Sequence, residues 1–173
     1  MDNVLLHVRA VLSTTPMRWQ QLVETIPSEL LNRPPAPQEW SAFACLQHLL
    51  ATERLFFPVR VRNFLAGEKE LATYDPDTQG NPHAGRTAAE LVAEFTTLRA
   101  ESLSLVATIT EADLMRTARH SELGSAALRD ILHGWGAHDL DHTIQAERAL
   151  MQPFIAGSGP WRRYFSANDV ERP

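Results

Sequence analysis

Apolar residues recur every three or four positions through nearly every long segment of this chain, and strand-like alternation is rare. That period commits the chain to helices whose apolar stripes must be buried against one another. Prolines and capping residues then set the boundaries. A first segment, about Asp2 to Ile26, carries Val4, Val8, Val11, Leu12, Trp19, Leu22 and Val23. Ser13-Thr14-Thr15-Pro16 interrupts it, and Thr15 as a cap with Pro16 at the first helical position predicts a break or kink there. Pro34, Pro35 and Pro37 make 32–39 a connection. Ser41 is the expected N-cap of a second helix, about Ala42 to Ala66, bent or split at Pro58 and stopped by Gly67.

Residues 68–85 lack periodicity, and a loop that long can travel back along a bundle. Helices 2 and 3 would then lie parallel, with the loop as crossover. Thr87-Ala88-Ala89-Glu90 is a capping box opening helix 3, whose inner face holds Leu91, Phe95, Leu98, Leu105 and Ile109. After a turn-rich connection over 110–124, Ser125 is expected to cap helix 4, about Ala126 to Met151, ended by Pro153. In the tail, Trp161 and Phe165 are four apart and are expected to pack one helical turn on the bundle. The fold expected is an all-α four-helix bundle with a long crossover between helices 2 and 3, one domain over 1–173.

Composition narrows function by exclusion. A net charge of −5 with no Lys/Arg block disfavours nucleic acid as a partner, since phosphate binding needs a concentrated positive face. No apolar run approaches the roughly 20 residues of a membrane span. The opening MDNVLLHVRA has no basic flank before a long apolar core and does not read as a signal peptide. Cys45 is the single cysteine, which rules out an internal disulfide and a Cys-rich zinc site and points to a cytoplasmic protein.

The chemistry lies with histidine. Leu128, Leu132, Trp135, His138, His142, Gln145 and Ala149 succeed one another at steps of three or four, so His138 and His142 project from the core face of helix 4. Two imidazoles at i and i+4 can share one metal ion. His48, in the apolar stretch ACLQHLLATE, is the candidate third ligand, and three histidines would leave an open position. The competing reading is a pair of hydrogen-bonded helix histidines. His133 points to another face, His120 could overhang the bundle end, and His7 and His83 read as surface residues. Cys45, one turn before His48, and Glu53, five after it, are further candidates for the pocket. HDLDH is not a zincin motif, because Asp139 is one carbon shorter than the Glu of HExxH. A ferritin-like di-iron site is also disfavoured: no histidine has a Glu three residues before it.

Trp40-Ser41, His48 in CLQHLL and His138–His142 in AHDLDHTIQ, in this order, resemble the DinB/YfiT-like superfamily. TPMRWQQLVETIP, RHSELGSAALRDILHGWGAHDLDHTIQ and GPWRRYF extend the likeness over most of the chain. The resemblance implies a four-helix bundle with a long 2–3 crossover and a divalent metal, zinc or nickel, on His48, His138 and His142. It implies frequent homodimers, and activities that include thiol-dependent transfer or isomerisation with small bacterial thiols, and hydrolysis. The expected function is therefore a metal-dependent transferase or hydrolase acting on a small molecule. Asp139 and Asp141 are expected to orient ligand rings, and the long loop and the tail to shape the pocket mouth. A non-catalytic dimeric bundle is the alternative.

Overall fold

In a computed structural model, which describes residues 3–73, 83 and 85–171, the first helix α1 (Val4–Thr25) runs uninterrupted through Pro16. The expected break is absent, and Thr15 is no cap: its hydroxyl donates to the Val11 carbonyl at 3.1 Å. Pro16 has no N–H for the Leu12 carbonyl four residues back. That carbonyl is instead satisfied from outside the helix, by Arg99 Nη1 at 3.0 Å. A short helix α2 (Ser28–Asn32) follows.

Ser41 caps α3 (Ala42–Leu55), its hydroxyl accepting from Ala44 N at 3.2 Å. The expected split falls two residues before Pro58, at Phe56, and α4 (Phe57–Ala66) continues to the left-handed Gly67 (φ 81°). Thr87 and Glu90 form the expected capping box at the start of α5 (Ala88–Ala107). The last helix, α6 (Leu128–Gly157), starts later and ends later than expected. Ser125 lies in a strand instead of capping α6. Asp130 accepts from the Ala127 N–H at 2.8 Å, and Pro153 is absorbed inside the helix.

A small three-stranded sheet went unread in the sequence. The strand β1 (Glu70–Leu71) pairs parallel with β2 (Thr117–His120), which pairs antiparallel with β3 (Gly124–Ala127). Gly124 takes φ 79° at the turn. The β1–β2 pairing ties the start of the 2–3 crossover to the hairpin that leads into α6; most of the crossover, 74–82 and 84, lies outside the described residues.

Helices α1 and α3 each pack on both α5 and α6, so the order around the bundle is α1, α5, α3, α6. Two apolar clusters fill it end to end. One joins Val4, Val8 and Leu12 to Val61, Phe64, Val106, Leu132 and Trp135; the other joins Trp19 to Leu46, Leu50, Leu91, Phe95 and Ala146. α3 with its continuation α4, and α5, run from the second cluster to the first, hence parallel to each other, as the crossover requires. Burying each such side chain contributes about 1.5–3 kcal/mol. Between the clusters sits a layer of buried polar residues: Thr15, Thr52, Glu53, Arg99, Ser102, Asp139 and Thr143.

The tail forms a 3-10 turn, Gly159–Phe165, but does not bury its aromatics: Trp161 is 64% exposed and Phe165 40%. Polar contacts hold it instead, with Arg162 on Asp169 at 2.6 and 2.8 Å and Gln152 on the Asn168 carbonyl at 2.9 Å. Among the described residues no helix is long and apolar enough to cross a membrane.

Candidate metal centre

His48, from the middle of α3, meets His138 and His142 from α6. A potential ligand atom of each lies within 4.8 Å of those of the other two. The Nε2 atoms of His48 and His138 are 3.0 Å apart. His142 packs 4.5 Å, ring to ring, from both other imidazoles. The helical spacing of α6 puts its two rings on one face, and Ser41 capping fixes where α3 begins and so where His48 falls. All three are partly buried.

The state of His138 suits ligation. Burial, then His142 and His48, then Arg99, lowers the His138 pKa to about 3, so the ring is neutral at physiological pH. His142 Nδ1 lies 2.8 Å from the Gln145 carbonyl oxygen, an acceptor, so Nδ1 carries the proton and Nε2 keeps its lone pair for the cluster. His138 Nδ1 is buried without a hydrogen-bond partner among the described residues.

Two residues that build the site went unassigned in the sequence. Trp40 stacks on His142 (5.5 Å, 19° between planes) and tilts against His48 at 4.9 Å, while 39% exposed to solvent. It is delivered by a turn in which Gln38 is left-handed (φ 68°) and Glu39 N donates to the Ala36 carbonyl. The signal was its place directly before the Ser41 cap. Gln145 was legible as i+3 from His142 on the same face. From the other side Phe57 meets His138 edge to face at 5.0 Å and stacks on Trp135 at 5.3 Å.

Asp139 does not orient a ligand ring. It turns into the bundle and accepts from both Arg99 terminal nitrogens, at 2.5 and 3.1 Å. Asp141 is exposed. Glu53 is likewise buried away from the histidines' cluster, accepting from Arg99 Nη2 at 2.8 Å. Burial works against the Arg99 charge, but Asp139 and then Glu53 outweigh it and raise its pKa above the ordinary guanidinium value. Cys45 is fully buried, and burial pushes its thiol up to about 12, which leaves it inert as a nucleophile. His120 accepts the Glu122 and Leu123 N–H groups in the β2–β3 turn and is not part of the cluster. His7 and His133 are exposed, whereas His83 is 3% exposed, contrary to expectation. Burial, with Arg54 and Arg86 nearby, lowers its pKa.

A cavity of about 270 Å³ adjoins the centre through Gln145 and is lined also by Pro35, Glu39, Asp141 and Arg148. The proline-rich segment before α3 therefore shapes this mouth. The tail borders a different space of about 90 Å³, with Arg33, Gln152 and Arg162.

The donor set fits a divalent cation. Nitrogens each 2.0–2.1 Å from one ion can be at most about 4.2 Å apart, and the 3.0 Å separation falls inside that reach. Histidine nitrogen suits zinc, nickel, iron and copper.

A family model described as the DinB superfamily matches residues 12–146. No curated protein matches the sequence. Among solved structures, the chain is similar to YfiT from Bacillus subtilis, described as a probable metal-dependent hydrolase with an unusual four-helix bundle topology. The identity is 19% and the TM-score 0.74, over 89% of each chain. At that identity the likeness speaks for the bundle fold.

Proposed function

The chain belongs to the DinB superfamily, and on that premise we propose that it binds a divalent metal ion, zinc or nickel, through His48, His138 and His142 and acts as a metal-dependent enzyme on a small molecule. The observation that carries this reading is the convergence of three imidazoles from two helices within 4.8 Å. A divalent ion held there would supply Lewis acidity, which would lower the pKa of a water or small thiol toward neutrality. With water the outcome is hydrolysis, the activity class in YfiT's description. With a small thiol it is transfer.

The chain's own residues do the rest. His48, His138 and His142 would hold the ion by three protein ligands, a number that does not close a site. Gln145 holds the His142 ring in one tautomer. Trp40 covers the outer face of two ligand rings and offers a substrate a flat apolar wall, while Phe57 excludes water from the inner side. A homodimer in the cytoplasm is part of the proposal.

Metal analysis of natively purified protein tests the reading. About one ion per chain is expected in the wild type and none in His142→Ala; unchanged metal in that variant sinks the assignment. Assays with ester and amide substrates, with and without a panel of small thiols, then separate hydrolysis from transfer.

A further inference from the structure

We infer that Arg99 is a positioning residue for this centre: its buried guanidinium joins the two helices that carry the histidines and sets the separation of His48 from His138. The inference rests on the proposed metal site. Arg99 is 1% exposed and, from α5, bonds to each of the other three long helices. From α5 it donates to Glu53 on α3 at 2.8 Å, to Asp139 on α6 at 2.5 and 3.1 Å, and to the Leu12 carbonyl of α1 at 3.0 Å. Its guanidinium carbon lies over the rings of Phe95 (4.8 Å) and Trp135 (5.5 Å). Asp139 directly follows His138, and Glu53 is just over one helical turn beyond His48.

Stability alone does not account for this network. Buried ion pairs are often matched or bettered by apolar residues of similar volume, and fixing register is their best-attested role. This one is also imperfectly satisfied: Arg99 Nε and Glu53 Oε1 are buried without hydrogen-bond partners among the described residues. The layer sits between the two apolar clusters, whose hydrophobic stabilisation is non-directional and does not by itself fix a helix register. A planar fork bonded to carboxylates on both α3 and α6 is directional and does fix it. A shift of either helix would change the 3.0 Å spacing of the two Nε2 atoms.

The test is titration of the metal-free protein with Co²⁺ alone, read by visible absorption and by quenching of the tryptophan fluorescence, with folded fraction followed by circular dichroism. Arg99→Lys keeps the charge and loses the fork; Glu53→Gln loosens only the α3 arm. Phe64→Leu, buried on α4 about two helical turns beyond Phe57 and outside the ring contacts of the histidines, is the control for general destabilisation. Arg99→Lys and Glu53→Gln are each expected to weaken Co²⁺ binding by the folded protein at least tenfold, the scale of lost support around metal ligands. Phe64→Leu should stay within about twofold of wild type by the same reasoning. Wild-type affinity and spectrum in either charge variant overturn the inference, as does equal weakening in Phe64→Leu. Should Arg99→Lys fail to fold, Glu53→Gln decides. A wild-type protein that takes up no Co²⁺ overturns the metal reading itself, and this inference with it, a pattern distinct from unaltered binding in the variants.

Discussion

Pro16 and Arg99 are 83 residues apart in sequence and meet at one carbonyl oxygen, so a double-mutant cycle on the pair has a definite expected sign. Replacing Pro16 with Ala in the wild type relieves a helix-interior proline, worth about 3 kcal/mol by propensity. Against that, Pro16 is buried, and losing two ring methylenes forfeits about 1.6 kcal/mol. The unfolded chain also regains freedom worth about 0.4–1 kcal/mol. The expected net is a stabilisation of no more than about 1 kcal/mol by these sums. Arg99→Met leaves Glu53 and Asp139 as buried carboxylates without their cation, which costs about 3–5 kcal/mol. It also strands the Leu12 carbonyl, for about 1–3 kcal/mol more. In that background the alanine introduced by Pro16→Ala supplies the missing N–H. The Pro16→Ala gain should therefore be larger in the Arg99→Met protein than in the wild type, by about 1–3 kcal/mol. Urea unfolding of the four proteins, followed by circular dichroism, measures the coupling. A coupling below about 0.5 kcal/mol, the usual scatter for independent sites, refutes the claim that Arg99 replaces the amide that Pro16 lacks.

Gln145→Ala should weaken metal affinity by about 10–100-fold, because His142 loses the acceptor that fixes its tautomer. Unaltered Co²⁺ affinity would show that Gln145 serves only the cavity. Cys45 should resist Ellman's reagent in the native protein at pH 8 and react once unfolded in urea; fast reaction in the native state would contradict its burial. Its folded pKa of about 12 lies above the ordinary thiol value of 9.0, so its contribution to stability is complete below about 9 and is lost as pH rises from there toward 12. Cys45→Ala should remove that part of the alkaline slope in thermal unfolding measured across the window, and an identical slope would count against it.

The bundle was legible because its signals are local. Apolar period, the Ser41 cap, the Thr87–Glu90 box and Gly67 each act within a few residues, and each lies where it was expected, with the split near Pro58 displaced by two residues. The histidine set was legible for the same reason: i, i+4 spacing puts His138 and His142 together, and His48 sits on an apolar stripe that must face them. What escaped depends on partners far along the chain. Pro16 reads as a breaker until an arginine 83 residues away satisfies the freed carbonyl. Glu53 and Asp139 read as aids to the site until they are seen paired with Arg99 in the core. The strands β2 and β3 are four residues each, too short for alternation to declare itself, and β1 has only two. The tail aromatics have the right spacing to pack, but spacing cannot show that polar contacts at Arg162 and Gln152 hold the segment instead.

His48 and His138 are 90 residues apart. An ion shared between them would be a cross-link closing most of the bundle into a ring. By the chain-entropy relation used for disulfides, a loop of that length removes unfolded-state entropy worth about 4–5 kcal/mol. With Cys45 as its single cysteine, the chain has no sulfur bridge to do this. The same three imidazoles would then serve as the protein's staple, and a strong chelator would lower its melting temperature along with its metal content.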